Sequence, residues 1–161
     1  MKHQTQSGWL MSLRDDPDSN WGSVESFIEG IKESPIRSGR YIMESEVWGR
    51  VGVKEMLPKK GQGIGFYHST RARFPSPDKF GRKPRITLIG ELLGIETNGK
   101  EVIYIKVAVD KKILQSMTKQ PIVRDGVMVS VFEECGIKQG SVATFYYAGP
   151  EQWKHILAQI D

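Results

Sequence analysis

Along this chain the spacing of apolar positions changes repeatedly, and each change marks an element. Gly8-Trp9-Leu10-Met11-Ser12-Leu13 is a short, mostly apolar run closed by the turn formers Arg14-Asp15-Asp16-Pro17-Asp18, which predicts a central strand rather than an edge one. Val24, Phe27, Ile28 and Ile31 then recur three and four apart behind Ser23, a good N-cap, with Glu25 in the first turn. That predicts an amphipathic helix ending near Ser34, because Pro35 disfavours helical geometry in the residue before it. From 36 to 57 periodicity is weak and glycine frequent, so a connection passing over a pocket is expected, with a single helical turn in 53–57 ahead of Pro58-Lys59-Lys60-Gly61. Runs rich in Val, Ile, Tyr and Phe predict strands at 63–69, 85–95, 102–109 and 142–147, and Asn98-Gly99 predicts a hairpin between the second and third. Between 111 and 141 the pattern suggests a short helix at 112–117, a strand at 127–132 and a turn at 136–140. Pro150 then opens a closing helix with Trp153, Ile156, Leu157 and Ile160 on the face that packs on the sheet.

Five or six strands with two or three helices, lacking regular strand–helix alternation, place the chain in the α/β range as an α+β fold. The expected architecture is a mixed, mostly antiparallel sheet curled on itself, with flanking helices. A barrel of so few strands is filled by its own side chains, so a ligand belongs at the rim. The 161 residues fit one domain over 1–161, with 1–7 as a frayed terminus. Ordinary hydrophobic (39%) and charged (26%) fractions, no spanning-length apolar run and no secretory leader at the N-terminus predict a cytoplasmic protein that avoids membranes. The single cysteine, Cys135, excludes an internal disulfide, and its neighbours Glu133 and Glu134 disfavour the thiolate, so it reads as an idle thiol.

Charge changes the picture more than composition does. The net charge is only +4, but residues 70–85 hold six Lys or Arg against one Asp, with Phe74 and Phe80 interleaved. Stacking plus phosphate neutralisation needs that mixture, so Arg71, Arg73, Arg82, Lys83 and Arg85 are expected to contact a nucleic-acid backbone, with Arg50 and Lys54 extending the positive rim. DNA or RNA is the expected partner.

Catalytic chemistry finds little footing. The three histidines, His3, His68 and His155, lack metal-ligand spacing, and Gly61-Gln62-Gly63-Ile64-Gly65 lacks both the last glycine and the following helix of a dinucleotide loop. No metal or cofactor is expected. His68 and Ser69 are strand neighbours whose side chains point to opposite faces, which argues against a dyad. Trp48-Gly49 in a glycine-rich segment supplies an aromatic wall instead, and Tyr67, His68 and Ser69 at the end of their strand, with Ser12 at the rim, supply polar groups to read a ring. Trp9 and Trp153 are assigned to the core, and Trp21 to the start of the first helix.

Taken in order, Trp9-Leu10-Met11-Ser12, Val47-Trp48-Gly49-Arg50, Pro58-Lys59-Lys60-Gly61, Phe66-Tyr67-His68-Ser69, Ile89-Gly90-Glu91 and Pro150-Glu151-Gln152-Trp153 resemble the EVE domain of the PUA-like superfamily, related to the YTH readers of methylated adenine. The resemblance spans nearly the whole chain. It implies a PUA-like pseudo-barrel and a non-enzymatic module that accepts an unstacked, modified base. Trp48 would stack on that base, and Ser12, Gly49, Tyr67, His68 and Ser69 would line or shape its pocket. Two departures stand out: Trp48 leads into Gly49-Arg50-Val51-Gly52-Val53 where many such domains carry an Asp-Gly-Val-Arg-Asn-type stretch, and the Arg71–Pro84 loop is longer. The alternatives are a hydrolase of modified nucleosides with His68 as base, and a module docking an acidic protein surface through the basic loop.

Overall fold

The computed structural model describes residues 6–14, 23–52, 56–69, 83–137 and 143–160. Strands β1 (Gly8–Arg14), β2 (Ile36–Arg37), β3 (Arg40–Arg50), β4 (Gly63–Ser69), β5 (Arg85–Asn98), β6 (Glu101–Asp110), β7 (Ile122–Val123) and β8 (Phe145–Ala148) form one mixed sheet. Its order is β2-β3-β6-β5-β4-β1-β8, with β7 on the start of β5. Every ladder is antiparallel except that of β1 with β4. Helices α1 (Val24–Lys32), α2 (Lys111–Lys119), α3 (Met128–Glu134) and α4 (Pro150–Leu157) flank it, giving the expected α+β class.

The expected central strand at 8–13 is central, lying between β4 and β8. Its alternation divides two cores. Trp9, Met11 and Leu13 join Phe27, Ile28 and Ile31 of α1 on one face, while Leu10 joins Met128, Val131, Phe132 and Trp153 on the other. Helix α1 begins at Ser23, whose hydroxyl accepts from the Ser26 amide, as its sequence predicts. The hairpin between β5 and β6 also forms, although its two loop residues are Gly99 and Lys100. Gly99 has φ +62°, so the positive-φ position falls one step after Asn98.

Two expectations give way. The stretch from 36 to 57 is mainly a hairpin rather than a connection: Ser38 and Gly39, both at positive φ, turn β2 into the eleven-residue β3. Met43, Val47 and Gly49 are buried while Glu44, Glu46, Trp48 and Arg50 are exposed, an alternation whose acidic positions dilute its β-propensity. The segment 127–132 is helical, not extended, because Met128, Val131, Phe132 and Cys135 form a buried stripe at helical spacing and leave Val127 and Val129 exposed. That helix ends in a Schellman motif: Gly136, at φ +96°, donates to the Glu133 carbonyl, and Ile137 donates to that of Phe132.

The sheet curls as expected and stays open. Val51, just past β3, makes a single parallel bridge to Phe145 of β8, flanked by bonds from the Thr144 amide to the Arg50 carbonyl (2.9 Å) and from the Gly52 amide to the Phe145 carbonyl (2.9 Å). Beyond that corner β3 and β1 form no ladder among the described residues, so the curled sheet has a seam instead of the closure of a barrel. Among the described residues no helix is long and apolar enough to cross a membrane.

Candidate functional site

The seam holds a cavity of about 720 Å³. Met11, Ser12 and Leu13 of β1, with Thr144, form one bank; Met43 to Trp48 of β3 form the other; and α1 lies across it through Ser26, Phe27, Gly30 and Ile31, with Ser34 just past its end. The Ser12 amide bonds to the Thr144 carbonyl at 2.7 Å, fixing the first bank. On the second bank, Ile42 donates to the Pro35 carbonyl and Arg50 accepts from Thr144. Between those two bonds this edge of β3 has no ladder partner among the described residues.

Trp48 owes its position to a local defect in the ladder. Glu46 pairs with Tyr104 and Gly49 with Val102, so Val47 and Trp48 together oppose Ile103, a β-bulge that bends the strand beside the cavity. Trp48 is left 77% exposed at the mouth. Gly49 is buried against Phe145, where a Cβ would lie 2.5 Å from Cε2, so it fixes the approach of the two strands rather than lining the hollow.

The polar lining is made of hydroxyls and two carboxylates. Ser12, Ser26, Ser34, Ser45 and Thr144 contribute the hydroxyls, with Ser45 donating to the Glu46 carbonyl at 2.9 Å and Ser34 to that of Gly30 at 3.1 Å. Glu44 and Glu46 are the charged lining groups among the described residues. Tyr104 donates its hydroxyl to the Glu44 carboxylate. That bond, ahead of burial and the Glu44 charge, pushes the Tyr104 phenol up to about 12.

The predicted base-reading residues are split among three places. Ser12 and Trp48 share the cavity, but Tyr67 and His68 do not reach it. Tyr67 lies in the opposite core, edge-on to Phe132 at 5.3 Å, its hydroxyl accepting from Arg124 at 3.2 Å. Burial raises its pKa despite that guanidinium. His68 is 0% exposed, with Nδ1 2.8 Å from the Thr87 hydroxyl and its ring 5.1 Å from that of Phe27. The phenyl that lines the cavity therefore stands between it and the imidazole. Ser69 is half-buried at the end of β4, outside the lining. The strand alternation that separates these neighbours was legible in advance; which face the pocket takes was not.

The expected phosphate contacts divide similarly. Lys54, Arg71, Arg73 and Arg82 lie outside the described residues. Lys83 is exposed and paired with Asp125 at 2.9 Å, which holds that carboxyl below its usual range. Arg85 is 1% exposed and donates to the Lys83 carbonyl at 3.0 Å, so it serves the fold and not a surface. Arg50 is exposed on a separate hollow with Lys100 and Glu101. A basic groove that sequence reasoning missed lies across α1 from the cavity, where Lys32, Lys111 and Lys119 surround Tyr41 in a hollow of about 540 Å³. It draws on three separate elements, and only their packing makes it one surface.

Cys135 is buried, and its thiol is pushed up to about 12 by burial and then by Glu134, which leaves it unreactive at neutral pH. No cluster of three or more His, Cys, Asp or Glu side chains able to hold a metal occurs among the described residues. Compared with protein-family models, curated proteins and solved structures, the chain has no match.

Proposed function

We propose that this protein binds a single-stranded stretch of DNA or RNA and holds one unstacked, modified base in the seam against Trp48. The observation that carries the reading is an indole 77% exposed at the mouth of a cavity of about 720 Å³. Leaving so much aromatic surface in water forgoes burial energy, whereas stacking a base on it recovers about 1–3 kcal/mol. The volume falls within the roughly 300–1,000 Å³ of small-molecule sites. Hydroxyls from both banks stand ready to bond ring edges, with Ser12 and Thr144 on one side and Ser45 on the other. The resemblance to base-reading EVE domains supports the same use of Trp48.

In this reading the phosphates stay outside the seam, since its charged lining is acidic. Lys32 and Tyr41 of the basic groove are one and two residues from Ile31 and Met43 of the cavity wall, so a strand with its base in the seam has cations within reach across α1. The hydrolase alternative draws no support from this geometry, because His68 is enclosed behind Phe27.

The test is anisotropy titration of short single-stranded oligonucleotides bearing different modified bases, at several salt concentrations. Trp48→Ala should weaken the preferred oligonucleotide and leave the salt slope unchanged, while Lys111→Gln with Lys119→Gln should reduce the slope. Undiminished affinity in Trp48→Ala for every oligonucleotide would refute the proposal.

A further inference from the structure

We propose that the seam selects a flat ring carrying a positive charge, an N-alkylated base in its cationic form, over a neutral base of the same size. This rests on reading the seam as a base pocket and names the class of base it takes. The cavity is lined by two carboxylates, Glu44 and Glu46, and by no Lys or Arg among the described residues. The cations closest along the strands lie outside that lining: Arg50 belongs to the separate hollow with Lys100 and Glu101, and Lys106 pairs with Glu44 in register.

Geometry puts these charges where a stacked ring would feel them. Glu46 and Trp48 both line the cavity and are both exposed, two residues apart on the bulged stretch of β3. Glu44 is held in place by the Tyr104 hydroxyl one strand over. A ring lying on the Trp48 indole thus has an aromatic face on one side and carboxylates at its edge.

A neutral base there gains stacking and the bonds of the lining hydroxyls. A cationic base gains stacking, attraction to the indole face and attraction to the carboxylates, none of which is offset by a lining cation. The shape of the site favours a flat cation over a methylated ammonium, which needs several aromatic faces around it. Among the described residues Trp48 is the one exposed aromatic side chain of the lining, and Phe27 is buried against Phe66 and His68.

Two methylated adenines separate charge from size. N1-methyladenine is cationic at neutral pH; its isomer N6-methyladenine has the same mass and is neutral. Oligonucleotides identical except for one such residue, or for adenine, are titrated against the full chain and against Glu44→Gln/Glu46→Gln and Trp48→Ala variants. The N1-methyl oligonucleotide is expected to bind about tenfold more tightly than the N6-methyl one. The double glutamine variant is expected to bring that ratio close to one. Equal or tighter binding of the N6-methyl isomer, still lost in Trp48→Ala, would overturn the charge selection and leave the base pocket standing. A ratio that survives in the double variant would overturn it too. Should no oligonucleotide depend on Trp48, or a trimethyl-lysine peptide bind there more tightly than either isomer, the base pocket itself falls.

Discussion

Two tryptophans of this fold meet opposite fates. Trp153 of α4 is 1% exposed and lies over Gly8 and Gly63, which face each other in register across β1 and β4. A Cβ at Gly8 would lie 2.4 Å from its Cδ2, and one at Gly63 would lie 2.2 Å from its Cζ2, so both strands give up a side chain to seat one indole. Trp48 meets no such floor, because beside β3 the sheet has a seam where the next strand would be. Trp153 is enclosed because two paired strands are shaped for it. An indole left bare beside a hollow marks a surface whose partner lies outside the chain.

If that contrast is right, the largest effect belongs to the enclosed ring. Trp153→Ala should cost about 3–5 kcal/mol of stability, measured by urea unfolding, by removing a fully packed aromatic side chain. Filling the floor should cost less: Gly63→Ala forces the indole to move and should lose roughly 1–3 kcal/mol in the same assay. Trp48→Ala should leave the unfolding midpoint within about 0.5 kcal/mol of the parent while weakening oligonucleotide binding by about 1–3 kcal/mol. A midpoint shift as large as that of Trp153→Ala would erase the distinction between the two rings.

The smallest effect concerns Tyr104, which stands guard over Glu44. Its phenol titrates at about 12 in the folded protein against 10.0 for an ordinary tyrosine, so its stabilising contribution is whole below pH 10 and is lost as pH rises towards 12. Tyrosinate absorbance should show late titration from Tyr104 beside that of buried Tyr67, and the Tyr104 part should return to the ordinary range in Glu44→Gln. Unchanged titration in that variant would mean that another group holds Tyr104.

Much of the fold was legible because burial is nearly periodic where strands are central. The bounds of β4 follow from its unbroken apolar character, and α1 and α4 from their stripes and caps. What escaped were elements whose local signals point elsewhere. Glutamates in β3 lower its strand propensity, and the valines at 127, 129 and 131 imitate a strand although the buried set of α3 has helical spacing. The site was half visible. Ser12 and Trp48 could be named from sequence, whereas Phe27, Glu44, Glu46 and Thr144 join them only through the curl of the sheet. Tyr67 and Arg85 look like ligand residues by type, but their polar ends are spent on Arg124 and the Lys83 carbonyl.

The unpaired edge of β3 has a cost and a safeguard. Such an edge is a template on which a second molecule can lay its own matching strand and start a growing stack. Glu44 and Glu46 oppose this, since two copies brought edge to edge would set like charges side by side. Neutralising both carboxylates should therefore test storage life as well as recognition, with turbidity at high concentration reporting whether the chain still stays apart from itself.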